Sequence, residues 1–183
     1  MKKDTIVQFV CFETAIGLDE FVVEWEQYAK QFLGKGIEVT LQQRIVSANR
    51  FKYLSQHKWS QDDFQFLFMK GRHSEYFPER RVKVIQAGGY TPLQIECVHD
   101  DEINAVKIFV LINDASSDIE HYKKFEDYHY LNIYQAYYES SMYAYILEFF
   151  VDEASAETFM LQLKAKVQGV EAGIYKECLV LEK

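Results

Sequence analysis

The two halves of this sequence repeat each other, and the repeat constrains the fold more than any other feature. When Thr5 is aligned with Ala105, TIVQFVCFETAIGLDEFVVEWEQY lies over AVKIFVLINDASSDIEHYKKFEDY without a gap. Phe-Val then meets Phe-Val, Glu20 meets Glu120, and Trp-Glu-Gln-Tyr meets Phe-Glu-Asp-Tyr. Self-similarity of this kind indicates that one structural unit occurs twice. We therefore expect the same order of elements in both halves.

Each repeat begins with a β-rich run that changes to helical spacing. In the first half Gly17 is placed as an N-cap, and Ile16 can pack on Phe21 as a hydrophobic staple. Apolar residues then recur three and four positions apart, which predicts an amphipathic helix carried by Leu18, Phe21, Val22, Trp25, Ala29, Phe32 and Leu33. In the second half Ser117-x-x-Glu120 forms a capping box and predicts a matching helix, with an inward face of Ile119, Tyr122 and Phe125.

A hairpin, a second helix and a last strand follow in both halves. Alternating apolar runs around polar turns predict hairpin strands over 37–46, 50–59, 133–139 and 142–151. The second helices are predicted to start at Ser60 and at Asp152. Related last strands lead through AGGY to Cys97 and through AGIY to Cys178. The charge run Glu79-Arg80-Arg81 is expected on the solvated face of a helix that ends near Gly88.

The predicted order is therefore β-α-β-β-α-β, twice. This order is the ferredoxin-like unit, an α+β fold whose four-stranded antiparallel sheet carries helices on one face only. The uncovered face needs a partner layer, and a second unit in the same chain can supply it. No linker divides the halves at the short acidic turn 99–102. We predict two tandem repeats, 1–100 and 101–183, whose antiparallel sheets pack together as an intramolecular dimeric α/β barrel.

The stretch HKWSQDDFQFLFMKG, followed by RHSEYFPE, places an aromatic residue at a strand end before a capped helix and a turn that contains His. This arrangement resembles the dimeric α/β-barrel superfamily, which includes the antibiotic-biosynthesis-monooxygenase-like proteins. The resemblance covers both halves in topology and rests on residues 57–79. It implies a cofactor-independent oxidation of a small aromatic or enolic substrate, in a pocket of the first repeat, with no cofactor.

Five side chains of the first half are candidates for that pocket. His57 and His73 are the candidate catalytic bases, and Tyr53, Trp59 and Tyr76 are the candidate ligand-pocket residues. His57 shares a strand face with Tyr53 and with Phe51, the face expected under the helices. Each candidate also has a plainer interpretation. Trp59 can be a staple for Phe64, His57 a hydrogen-bonded core residue, and the turn with His73 and Tyr76 ordinary solvated surface.

Charge, cysteine content and missing motifs narrow the remaining function classes. A formal net charge of -8 disfavours nucleic acid and anionic membranes as partners. Three cysteines without a Cys-x-x-Cys spacing suit a reducing cytoplasm, and we expect that location. No apolar run is long enough for a transmembrane helix. Glycine-rich nucleotide loops, zinc-ligand spacings and nucleophile elbows are missing from the sequence, which favours no metal and no nucleotide.

Three functions remain open at this stage. The first is the monooxygenase-like enzyme, with His57 or His73 taking the substrate proton. The second is a non-catalytic protein that binds a small apolar or aromatic molecule or acts in a stress response. Haem binding is third, because Gln8 stands where the haem-degrading relatives use Asn. The second half lacks Trp, so a pocket is expected in the first half. The protein is expected to be a monomer (a pseudo-dimer) or a homodimer.

Overall fold

The computed structural model of the chain describes residues 5–33, 38–47, 51–68, 81–95, 105–137, 143–167 and 171–182. The elements within these residues are, in chain order, β1 (Thr5–Thr14), α1 (Leu18–Leu33), β2 (Glu38–Ser47), β3 (Tyr53–Ser60), α2 (Gln61–Phe68), β4 (Val82–Gln94), β5 (Ala105–Ile112), α3 (Ile119–Tyr122), β6 (Tyr130–Ala136), β7 (Tyr145–Asp152), α4 (Ala156–Lys166) and β8 (Glu171–Glu182).

The eight strands form one closed antiparallel barrel in the order β1-β3-β2-β8-β5-β7-β6-β4. The first half supplies the run β4-β1-β3-β2, and the second half supplies β8-β5-β7-β6. Pairing of β2 with β8 and of β4 with β6 joins the two runs edge to edge. A closed barrel leaves no unpaired strand edge for another chain to add to. The predicted α+β class with an antiparallel barrel is confirmed.

The apolar core has three layers. One cluster, with Phe9, Tyr90 and Tyr134 among its members, fills the barrel interior. A second lies between the first-half strands and helices α1 and α2, and a third lies between the second-half strands and α4. Strands buried on both faces must be apolar at successive positions rather than at alternate ones. Strand β1 accordingly has its first eight residues buried.

Local signals in the first half gave correct helix starts. The N–H of Phe21 donates to the Gly17 carbonyl at 3.0 Å, which closes the first turn of α1. The N–H of Asp63 donates to Ser60 Oγ at 3.2 Å, and that hydroxyl donates to Asp63 Oδ2 at 2.8 Å. This reciprocal pair fixes the start of α2 at the predicted cap.

The predicted second-half helix is wrong in its cap and its length. Helix α3 is a single turn, and its N-cap is Asp118 rather than Ser117. Asp114 Oδ1 accepts from the N–H and the hydroxyl of Ser116, at 2.8 Å each. Short polar side chains that hydrogen-bond nearby backbone groups compete with helix formation, so the chain enters the helix late. Tyr122 still faces the core, as predicted.

Two further expectations on the first half are wrong. No helix ends near Gly88, because β4 already begins at Val82 and pairs with β1 from Thr14 to Val7. β4 pairs with β1 on one side and with β6 on the other, and so closes the barrel. These backbone hydrogen bonds favour a strand here over the predicted helix. Phe51 precedes β3 and packs inside the barrel rather than under the helices. Glu79 and Arg80 lie outside the described residues, whereas Arg81 pairs with Glu20 and Glu24 of α1.

Candidate functional site

Three of the five candidate residues lie together in the layer between the first-half strands and their helices. Tyr53, His57 and Trp59 occupy alternate positions of β3, so their side chains point to one face of the strand. That face lies under α1 and α2, as the sequence predicts. His73 and Tyr76 lie outside the described residues. All three side chains are buried, with relative exposures of 0%, 0% and 1%.

The imidazole of His57 is held by a short polar chain. Its Nε2 lies 2.9 Å from Ser55 Oγ, and Trp25 Nε1 of α1 donates to the same hydroxyl at 3.1 Å. A serine hydroxyl offers one donor and two acceptor positions, so it can serve both rings at once. The edge of Tyr28 meets the imidazole at 5.7 Å, and Trp59 stacks beside it at 5.9 Å, centroid to centroid. His57 is therefore fixed in an aromatic environment that excludes water.

Trp59 is fixed from the neighbouring strand. Its Nε1 donates to Gln8 Oε1 at 3.1 Å, and Gln8 is itself buried. Gln8 lies directly across from His57 in the pairing of β1 with β3. Gln8, a buried polar residue of β1, thus serves as the hydrogen-bond acceptor for the indole. Ser60, the residue after Trp59, is the N-cap of α2. The position of the indole and the start of the helix are therefore coupled.

Tyr53 closes the layer at its other end. Its ring stacks on Phe21 with centroids 4.1 Å apart, and its hydroxyl donates to the Ile16 carbonyl at 3.3 Å. Burial, with smaller contributions from Cys178 and Asp19, raises the pKa of the Tyr53 hydroxyl above 10.0. Tyr53 therefore stays protonated at neutral pH and serves as a hydrogen-bond donor rather than as a base.

Helix α2 covers the site closely. A Cβ built on Gly89 of β4 would lie 2.2 Å from Phe64 Cζ, so the phenyl ring rests directly on the glycine backbone. Gln61 Nε2 and Gln65 Nε2 both donate to the hydroxyl of Tyr137, at 2.9 and 3.1 Å. Tyr137 follows β6, so these bonds tie α2 to the second half. His57 itself is fully buried, so a substrate reaches it only after side chains that cover it move.

A buried polar network inside the barrel was missed by the sequence reasoning. Its centre is the Glu148 carboxylate, which is 2% exposed. Oε2 accepts from Tyr134 at 2.9 Å and from Asn132 at 3.0 Å, while Oε1 accepts from Gln56 at 3.3 Å and lies 3.5 Å from Lys107 Nζ. The sequence did contain a signal for this network. Glu148 is the one charged residue in the otherwise apolar run YILEFFV, residues 145–151, and alternation places it on the inward face of the strand.

Lys107 extends this network toward the barrel end. Its Nζ donates to Glu177 Oε2 at 2.9 Å, and Gln42 Nε2 donates to the same oxygen at 3.1 Å. Burial by itself raises the pKa of Glu177, but the charge and hydrogen bond of Lys107 outweigh it, and the net pKa is lowered. Charges inside a protein are retained when they are paired and hydrogen-bonded in this way.

The described residues offer little to a metal or to a reactive thiol. No group of three His, Cys, Asp or Glu side chains within them is arranged to hold a metal ion. Cys11 is buried, and burial raises the pKa of the Cys178 thiol. Thiols in such surroundings remain protonated and unreactive. Among the described helices, none has the length and apolar character needed to cross a membrane.

Comparison with known proteins places the fold. No protein family matches the chain, and no curated protein matches its sequence. Among solved structures, an anthrone oxidase-like protein superposes with a TM-score of 0.61 at 11% identity, covering 99% of this chain and 94% of that one. A variant of chlorite dismutase from Candidatus Nitrospira defluvii gives 0.56 at 10% identity, covering 96% and 93%.

A third solved structure, a protein named as a monooxygenase from Fusobacterium nucleatum subsp. nucleatum, gives a TM-score of 0.55 at 13% identity, covering 100% of this chain and 96% of that one. All three match over nearly their whole length, so the similarity extends to both halves of the barrel. At these identities the shared property is the fold. The chain therefore has the fold of the dimeric α/β-barrel superfamily that its sequence resembles.

Proposed function

We propose that the protein is a cofactor-independent monooxygenase-like enzyme that removes a proton from a small aromatic or enolic substrate at His57. The observation that carries the proposal is a difference between the two halves. Strands β1 and β3 pair in the same register as β5 and β7, because Thr5 faces Ser60 as Ala105 faces Asp152. Each helix-facing residue of the first half therefore has an equivalent in the second.

The equivalents of the polar residues are all apolar. Gln8, Ser55, His57 and Trp59 correspond to Ile108, Leu147, Phe149 and Val151, which lie in the apolar cluster under α4. The same fold is thus built once with this polar set and once without it. Burying polar groups costs free energy that an apolar core avoids, so the fold alone does not account for His57. Buried titratable groups retained at such a cost are candidates for function.

The chemistry asks for a base in a dry aromatic site. Loss of a proton to His57 converts a phenol or enol into an electron-rich anion, and that anion can reduce dioxygen directly. A methylene carbon is then converted to a carbonyl, with one oxygen atom retained and the other released as water, so the substrate supplies all four electrons. Trp59 N–H and Tyr53 O–H, which donate to Gln8 Oε1 and to the Ile16 carbonyl in this structure, would have to turn from these partners to stabilise the anion. Excluding water protects the reactive intermediate.

Oxygen uptake tests the proposal. Anthrone-type and quinol-type substrates are incubated with the protein, and dioxygen consumption is followed with an electrode. We expect uptake above the buffer rate, and a loss of about 10²–10⁴-fold in His57→Gln, the range for a general base. His121→Gln, at an exposed histidine of α3, is the matched control. Wild-type protein that consumes no oxygen above buffer refutes the enzyme proposal. Full activity in His57→Gln moves the base to His73.

A non-catalytic role is the second candidate, and the packing of the layer favours it. Tyr53, His57 and Trp59 are fully buried among aromatic rings, so none of the three is open to solvent. Such a protein would bind a small aromatic molecule by displacing Phe64 without converting it. Saturable binding of a substrate analogue with no oxygen consumption would separate this role from catalysis.

Haem, the third candidate, does not match the described residues. Its axial ligand needs a histidine over a broad apolar cleft. His57 is enclosed, His121 lies on the surface, and His129 pairs with Asp152 at 3.1 Å. The remaining two histidines of the sequence, His73 and His99, lie outside the described residues.

We also propose that residues 1–100 and 101–183 are tandem ferredoxin-like repeats. Matching strand orders and registers support this, and so does the barrel interior. There, Thr40, Gln42 and Gln56 occupy the positions equivalent to Asn132, Tyr134 and Glu148, and Gln56 meets Glu148 across the barrel. Because one chain closes its own barrel, we expect a monomer in sedimentation equilibrium. A stable dimer at micromolar concentration would contradict that expectation.

A further inference from the structure

A surface cleft lies in the other half of the molecule, away from His57. It is a cleft of about 280 Å³ between the end of β7, the start of α4 and the segment before β6. Ligand pockets for drug-sized molecules span roughly 300–1,000 Å³, so this volume suits a ligand of only a few heavy atoms. None of its lining residues belongs to the layer around His57.

The floor of this cleft is aromatic and rigid. Phe159 is 1% exposed and packs on Phe149 with ring centroids 5.2 Å apart. Tyr128 stands nearly perpendicular to Phe159 at 6.3 Å and also meets Phe149 at 5.3 Å. Tyr128 is half-buried, so part of its ring remains accessible from the cleft. A cation placed over such a ring is attracted by the ring quadrupole.

The rim of the cleft is acidic. Asp127 and Asp152 are both exposed there, and His129 Nε2 lies 3.1 Å from Asp152 Oδ1. The backbone N–H of His129 donates to the Phe150 carbonyl at 2.8 Å, which fixes the pair to the strand. Two carboxylates and one imidazole line the rim, so these three side chains carry a net negative charge whether the imidazole is neutral or protonated.

The N-terminus of α4 is the one feature of the cleft lining that favours an anion. Ser155, the N-cap of α4, lines the cleft, and a helix N-terminus carries a partial positive charge. Glu157 lies in the first turn of α4, and Asp152 lies just before the cap. These two carboxylates flank the helix start and offset its charge. The net field of the cleft therefore favours a cation.

We propose that this cleft binds a small organic cation, namely a substituted ammonium group with a short apolar body. The ammonium group lies between Asp152 and the Tyr128 ring, and the apolar part rests on Phe159. Thr158, on the open side of the cleft, sets the size limit. This binding is independent of the chemistry proposed at His57.

Choline is the probe, because it combines a quaternary ammonium group with a small volume. Its neutral isostere 3,3-dimethylbutanol and the anion acetate are the matched ligands. Binding is followed by chemical-shift changes of the backbone amides of His129, Thr158 and Phe159 at low ionic strength. We expect saturable shifts with choline, much smaller shifts with the isostere, and none with acetate.

Variants locate the site. Asp152→Asn and Tyr128→Leu should each weaken choline binding about two- to fivefold, the effect of one exposed charge or one cation–π contact. Asp19→Asn makes the same charge change on α1, in the first half, and should leave affinity unchanged. Thr158→Trp should abolish binding, and an unchanged thermal midpoint would show that the fold is intact.

Three outcomes overturn the proposal: no saturable shift with choline, equal binding of the neutral isostere or of acetate, or unchanged affinity in both Asp152→Asn and Tyr128→Leu. Oxygen uptake at the His57 site serves as a separate readout. Loss of choline binding without change in oxygen uptake supports two distinct sites.

Discussion

The contact between Phe64 and Gly89 offers the sharpest test of how the first-half layer is packed. A Cβ at position 89 would lie 2.2 Å from Phe64 Cζ and 2.6 Å from Cε1, far inside van der Waals contact. Phe64 is 1% exposed, so its ring cannot swing into solvent without uncovering the core. Gly89→Ala must therefore shift the ring or α2. Overpacking of this kind costs about 1–3 kcal/mol.

The second half has a large residue at the strand position that is equivalent to Gly89. Gly89 pairs with Gln8, and the equivalent pairing of the second half joins Ile108 to Ile174. Phe64→Ala alone should cost about 3–5 kcal/mol, because it opens a cavity. Combined with Gly89→Ile, it should cost less than Phe64→Ala alone, because the new side chain fills that cavity.

Urea unfolding followed by far-UV circular dichroism measures these free energies. For a chain of this size, 1–3 kcal/mol corresponds to a fall of roughly 2–12 °C in the thermal midpoint. Leu93→Ala, which also shortens a large apolar side chain but at an exposed position of β4, is the control for Phe64→Ala and should have little effect on the free energy of unfolding. Strict additivity of Phe64→Ala and Gly89→Ile would refute the reasoning, since contacting residues should couple.

Further predictions concern the two polar networks. Glu148→Ala removes the acceptor of the buried donors Tyr134, Asn132 and Gln56, whereas Lys107 keeps Glu177. We expect a loss of about 3–5 kcal/mol in the free energy of unfolding by urea titration, since each buried donor left unpaired costs about 1–3 kcal/mol; a loss under 1 kcal/mol would contradict the network. The pKa of Glu177 in the folded state lies below its ordinary value of 4.5. The stability that Glu177 contributes is therefore fully present above the pKa of the unfolded state. It is lost as the pH falls through the pKa of the folded state. Glu177→Gln should therefore reduce the drop in urea midpoint between neutral pH and about pH 3–4, and an unchanged drop would count against this cause. Ser55→Ala removes the hydroxyl shared by Trp25 and His57, and should cost about 1–3 kcal/mol; Thr91→Ala, at a partly buried position of β4, is its control.

The repeat was the most informative part of the sequence. Aligning the two halves predicted the order of elements, and the periodicity of β3 predicted that His57 and Trp59 share one face with Tyr53. The start of α1 after Gly17 and the cap at Ser60 followed from local chemistry. These features depend on residues within about four positions of each other, so the amino-acid order carries them directly.

Two other features departed from what the alignment and the alternation predicted. The repeat predicted a full helix after Ser117, but local side chains of Asp114 and Ser116 capture the backbone there, and α3 shrinks to one turn. Phe51 was assigned to the wrong face because the strand begins only at Tyr53, and alternation cannot be extended beyond a strand end. Neither departure could be predicted from the alignment of the halves.

The amino-acid sequence by itself determined the class of fold, the order of its elements and the face on which His57 lies, because periodicity records which side of each element is buried. The tertiary structure alone decided which side chains are in contact across the barrel interior. Gln56 and Glu148 are separated by 92 residues, and their contact exists only because β2 joins β8 and β4 joins β6. Burial is encoded locally, but the identity of a partner is set by closure of the barrel.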